Sequence, residues 1–175
     1  VSDRAGGPRV AVVVGNPRSG SRTRAAGVHV ARELAGEPDL VVDLADLGTT
    51  LLDWSAPEVT ALVEQVGAAD LVVVASPTYK ATYTGLLKLF LDRFAGDTGL
   101  RGVAVPLMLG GSPAHALAGE LHLRPLLAEL GALLPTRALY VLDRDHDDPA
   151  AYDAWLATAR PAVRALLDRE TTGAP

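Results

Sequence analysis

Apolar residues along the chain follow two rhythms. Short, largely apolar runs occupy residues 10–14 (VAVVV), 40–44 (LVVDL), 71–75 (LVVVA), 103–109 (VAVPLML) and 138–142 (ALYVL). Runs of this length, rich in β-branched residues, predict strands covered on both faces, as in a parallel sheet. Between them apolar positions recur every three or four residues, the period of a helix with one buried face. Ala26, Val30, Ala31 and Leu34 form the first such set, closed by Gly36 and Pro38. Val59, Leu62, Val63 and Val66, closed by Gly67, form the second, and Leu86, Leu87, Phe90, Leu91 and Phe94 the third. The fourth carries Leu117, Leu121, Leu126, Leu127 and Leu130. Trp155, Leu156, Ala159, Val163 and Leu166 mark the inner face of the last, over residues 149–170. Strands alternating with helices predict an α/β fold, a doubly wound five-stranded parallel sheet with helices on both faces. In such sheets ligands sit at the carboxyl ends of strands, where strand order reverses. The loops after strands one, three and four are the polar ones, and they share one rim in the order 2-1-3-4-5, which is the order expected.

Proline and polar punctuation refine this picture. Ser55 and Glu58 have the spacing of a capping box, after an irregular connection over residues 47–54. Pro106 cannot donate to a central ladder, so a bulge or a one-sided gap is expected in the fourth strand. Pro125 deprives the Leu121 carbonyl of its usual partner, a defect of about 3 kcal/mol in a regular helix, which predicts a kink or a local π-turn. Pro161 predicts a bend, and Asp148 a cap for the helix that Pro149 opens.

Composition narrows the class. The 175 residues, 49% apolar and 21% charged, suit one globular domain over residues 1–175 with a single sizeable core. Residues 1–8 and 171–175 are expected to be disordered tails. A net charge of −5 argues against nucleic-acid binding, which rests on a basic face. No apolar run approaches the length needed to span a bilayer, and the polar opening VSDRAGGPR lacks the pattern of a signal peptide. Without cysteine the chain has no disulfide and no thiol nucleophile, a composition that fits the cytoplasm.

The strongest chemical signal follows the first strand. Gly15 permits a close turn, and then two arginines, three hydroxyls and an Asn fall within the eight positions from Asn16 to Thr23. Any one of them alone reads as a cap or a solvated side chain. Together, where a helix begins and unpaired N–H groups carry partial positive charge, they read as a cradle for a dianionic phosphate. Standard phosphate motifs do not fit. Gly20 is followed by Ser21 and Arg22 where a P-loop needs Lys, and Pro17 stands where a dinucleotide fingerprint needs Gly. His115 lies three residues after Ser112, but no G-x-S-x-G elbow surrounds that serine, and a polar helix start accounts for both. Asp143, Asp145, His146, Asp147 and Asp148 read as a solvated loop rather than a metal cluster.

GNPRSGSRT, SPTYKATYTGLLKLFLDRF and GGSPAH, at these separations, resemble the NAD(P)H-dependent FMN reductase family of flavodoxin-like proteins. The likeness is greatest to the reductase components that supply reduced flavin to sulfonate monooxygenases. It covers residues 9–142, and the strand followed by SPxY and then YxGxLKxxLD is its most diagnostic part. The resemblance implies FMN and NAD(P)H as cofactors and a homodimer or homotetramer. It implies electrons passed to flavin or another small acceptor, with a monooxygenase as possible partner. A quinone or azo reductase with tightly held FMN, and a flavodoxin-like electron carrier, are the alternatives. It places the phosphate loop on Asn16, Arg18, Ser21, Arg22 and Thr23 and the ribityl and ring loop on Pro77, Thr78, Tyr79 and Lys80. The other ring edge falls on Gly110, Gly111 and Ser112. Lys80 stands where the family more often has a small polar residue. Tyr79 and Tyr83 read equally as stacking on the ring or packing at a subunit contact, with Tyr79 the one favoured for the ring, and Trp54 reads as an interface or edge residue. No acid or base residue is expected, because hydride transfer is the cofactors' own chemistry.

Overall fold

The computed structural model describes residues 7–172. Strands β1 (Val10–Val14), β2 (Leu40–Asp43), β3 (Leu71–Pro77), β4 (Val103–Gly110) and β5 (Leu139–Leu142) form one parallel sheet in the order β2-β1-β3-β4-β5, as expected. Helices α1 (Arg22–Ala35) and α5 (Ala150–Thr172) cover one face; α2 (Pro57–Gly67), α3 (Gly85–Leu91) and α4 (Arg124–Glu129) cover the other. This explains why β1 is apolar throughout. Val10, Val12 and Val14 pack in the core with Ala26, Val30 and Tyr152, while Ala11 and Val13 pack with Val59, Leu87 and Phe90. Each fully buried aliphatic side chain of this kind contributes about 1.5–3 kcal/mol relative to exposure.

The expectations at Pro106 and Pro125 are met locally, whereas α5 runs as one helix with Pro161 inside it. Pairing of β4 with β3 runs unbroken from Val103 to Leu109, so Pro106 makes no bulge. Val103 donates toward β3 and Ala104 donates to Leu133 on the opposite side, so alternation turns the Pro106 nitrogen to Ala104's side. There it falls between Leu133 and the first β5 pair, Leu107 with Leu139, a one-sided gap. Before Pro125 the helix widens to a π-turn over Gly119–Leu123, with the Arg124 N–H donating to the Gly119 carbonyl. Asp148 caps α5 through Ala150 N at 3.0 Å.

Other expectations are corrected. The capping box does not form: Pro57 is the first residue of α2 and Ala56 its cap, so Glu58 stands one place too early to reach back. Ser55 donates from N and Oγ to Asp53 Oδ1 instead. The connection expected to be irregular is a 3-10 segment, Leu44–Leu52, kinked at Gly48. The fourth helix is three pieces, beginning with a 3-10 turn at Pro113–His115, and Leu117 and Leu121 face outward, at 65% and 63% exposure. Of the expected tails, residues 1–6 and 173–175 lie outside the described residues, whereas Thr172 is the last residue of α5.

Candidate functional site

The carboxyl ends of β1, β3, β4 and β5 open onto one cleft of about 670 Å³, within the size range of cofactor sites. The first loop contributes Asn16, Pro17, Arg18, Ser21 and Arg22. Its shape is set from within. Asn16 Oδ1 accepts from Arg18 N at 2.9 Å, and Asn16 Nδ2 donates to Thr23 Oγ1 at 2.9 Å. Thr23 is buried and does not line the cleft, so Asn16 and Thr23 form a brace. Ser21 caps α1, its Oγ accepting from Arg24 N. The N–H groups of Arg22 and Thr23, first in the helix, have no carbonyl partner within it. Arg18 is exposed, and Arg22 pairs with Asp143 at 2.5 Å.

Gly15 fastens this loop to the next. It lies so near α3 that a Cβ there would sit 2.5 Å from Leu87 Cβ. Its carbonyl accepts from Thr84 Oγ1 at 2.5 Å, and the same Thr84 oxygen caps α3 by accepting from Leu87 N at 3.1 Å.

In the second loop Pro77, Thr78 and Tyr79 line the cleft. Tyr79 and Thr82 exchange backbone hydrogen bonds, at 2.9 and 3.2 Å, across a two-residue turn. Its central residues, Lys80 (φ 51°) and Ala81 (φ 67°), are both left-handed without being glycine, a costly conformation. The tight turn leaves Tyr79 half-exposed over the cleft and carries Lys80 outside its lining. Thr78 N donates to Leu109 O at 2.6 Å, and its buried Oγ1 makes no hydrogen bond of ordinary geometry.

The third loop presents Gly110 and Gly111 to the cleft, beside Leu109. Any Cβ at Gly110 would fall 1.9 Å from Tyr140 Oη. That hydroxyl donates to Ser112 O at 2.6 Å. Burial pushes the Tyr140 phenol above its ordinary range, against a smaller opposite pull from Thr78 and Ser112, so it stays a donor at neutral pH. Ser112 lies off the cleft lining and caps the 3-10 turn through Ala114 N at 3.2 Å. No side-chain hydrogen bond joins Ser112 to His115 among the described residues.

The cleft is therefore lined by two guanidinium groups, a carboxylate, an aromatic side chain and two glycines, beside the opening N–H groups of α1. A family model described as NADPH-dependent FMN reductase matches residues 8–147. The chain belongs to the NADPH-dependent FMN reductase family. An FMN reductase (NADPH) of Escherichia coli (strain K12) is 35% identical over 131 residues, 71% of this chain and 68% of that protein. The NADH-dependent FMN reductase SfnF of Pseudomonas putida is 33% identical over 160 residues, 83% of this chain and 86% of that protein. A solved apo NADH:FMN oxidoreductase (EMOB) superposes with a TM-score of 0.80 at 27% identity, covering 91% of this chain and 90% of that one.

Three lining residues lie outside the set expected from sequence: Pro17, which enters that reading only as an exclusion from another motif, Leu109, read as part of a strand, and Asp143, one acid among several. Asp143 is the first residue after β5, a position that the rule for ligand sites in parallel sheets could have flagged.

Proposed function

We infer that this family member is an FMN-dependent NAD(P)H oxidoreductase, a flavin reductase that converts NAD(P)H, a proton and FMN into NAD(P)⁺ and FMNH₂. The observation that carries the reading is the meeting of the three family motifs on one cleft. The residues fit an FMN there. Arg18, Ser21 and Arg22, with the opening N–H groups of α1, suit a phosphate. Pro77, Thr78 and Tyr79 suit the ribityl chain and one ring face. Gly110 and Gly111 offer a wall without side chains to the other edge. Asn16, Thr23 and Ser112 shape the loops, and Lys80 stands outside the cleft lining. Bound flavin supplies the redox chemistry, accepting hydride from the reduced nicotinamide. The chain's own part is to hold ring and phosphate, bring the two rings to reacting distance and oppose the charge that develops. We assign no catalytic acid or base.

The reduced flavin serves a monooxygenase partner or a small acceptor, in the cytoplasm where reduced nicotinamides are made. The name of the NADH-dependent FMN reductase SfnF of Pseudomonas putida supports the flavin-reducing half of that reading. We further propose a homodimer or homotetramer, supported by exposed Leu52, Trp54, Leu89, Leu117 and Leu121. Trp54 is held under Arg93, whose guanidinium lies 5.3 Å from the ring centroid and donates to the Asp53 and Trp54 carbonyls.

Steady-state oxidation of NADH and NADPH with added FMN tests the activity. FMN-dependent turnover is expected, and none with flavin-saturated protein would leave only an electron carrier.

A further inference from the structure

We propose that Asp143 sets how tightly the cleft holds a phosphate monoester, by competing with that phosphate for the Arg22 guanidinium. The proposal rests on reading the rim as an FMN site. Arg22 opens α1 and Asp143 follows β5, and the two reach into the same cleft from different sides. They pair at 2.5 Å with side chains 58% and 43% exposed. A guanidinium offers planar, bidentate donors to a carboxylate or a phosphate alike, so Arg22 must loosen its hold on Asp143 to engage a ligand phosphate fully. The carboxylate left in the cleft then repels the dianion. A second carboxylate acts from behind. Asp43 is buried at 7% exposure, takes the Gly20 N–H at 3.0 Å and has an Oδ1 without a partner. That bond occupies one amide of the loop, and the Arg22 charge is already compensated by Asp143 before any ligand arrives.

The test is equilibrium titration of wild type, Asp143→Asn, Arg22→Ala and the double variant with FMN and with riboflavin, which lacks the phosphate. Asp143→Asn is expected to bind FMN about twofold to fivefold more tightly at low salt, the range for a half-exposed charge pair. The gain should shrink near about 0.5 M salt, leave riboflavin unchanged and largely vanish in the Arg22→Ala background. Equal FMN affinity in wild type and Asp143→Asn overturns the proposal, even if the melting temperature falls, because the ion pair would then be structural only. So does an equal gain for riboflavin, or a gain undiminished without Arg22. Wild type that binds no FMN at all overturns the reading of the rim and this proposal with it.

Discussion

Gly110 and Tyr140 show how a single atom shapes the rim. With a Cβ due 1.9 Å from Tyr140 Oη, Gly110→Ala must displace the phenol that holds Ser112 O. We expect a loss of about 2–4 kcal/mol in denaturant unfolding, from overpacking plus a broken buried hydrogen bond. Adding Tyr140→Phe removes the nearest clashing atom and should restore part of it. No recovery would place the strain elsewhere. Ala81 presents the opposite case. Its φ of 67° suits glycine better, so Ala81→Gly should stabilise the fold by about 1 kcal/mol, read as a higher unfolding midpoint. A lower midpoint would contradict the strain assigned to that turn. At this scale the sequence was legible where residue type has one strong meaning. Arg18, Ser21 and Arg22 reached the cleft that their chemistry suggested, whereas Thr23 and Ser112 did not. Serines and threonines cap and brace as readily as they bind, and spacing alone does not separate the two uses.

Among elements, prolines were the most informative signs. Pro125 and Pro106 foretold a π-turn and a one-sided gap because each removes one N–H from a known place. Ser55 misled because Pro57, with its fixed φ, claimed the first helical position. Leu117 and Leu121 misled because the pieces around the π-turn leave the regular helical period, so the buried face passes to Gly119 and Leu123. Tyr152 lies outside the apolar set recognised for α5, yet it is fully buried, edge-on to His29 with centroids 4.5 Å apart, and donates to His146 O at 2.6 Å. Burial first, and the charge of Asp147 second, push its phenol from an ordinary 10 up to about 12. The folded state therefore holds this proton more tightly than the unfolded one. Its stabilisation is present below pH 10 and is lost as pH rises through the interval to about 12. The loss is on the order of 2 kcal/mol. Tyr152→Phe should cost about 1 kcal/mol at neutral pH, for the lost hydrogen bond, and should flatten the alkaline decline. Unfolding curves from neutral pH to about pH 11 would show it, and parallel declines in both proteins would refute the assignment.

At the scale of the molecule, a parallel sheet wound on both faces leaves its loops free to differ while keeping their origins on one rim. The fold was readable because both faces of the sheet are buried, which makes each strand a solid apolar run. The site was readable in outline because loops after adjacent strands must meet. Asp143 was not, because it opens an acid-rich loop that reads as solvated, and only its ion pair with Arg22 singles it out. On the proposed reading, the first loop grips a phosphate so that a flavin ring lies over the other two loops. Titrating wild type and the Arg18→Ala, Ser21→Ala double variant with FMN and riboflavin tests it most directly. Wild type should favour FMN by tenfold or more, as roughly one charged hydrogen bond of about 1.5–3 kcal/mol requires, and the double variant should lose most of that preference. Equal affinity of wild type for the two flavins, or a preference untouched in the variant, would contradict it.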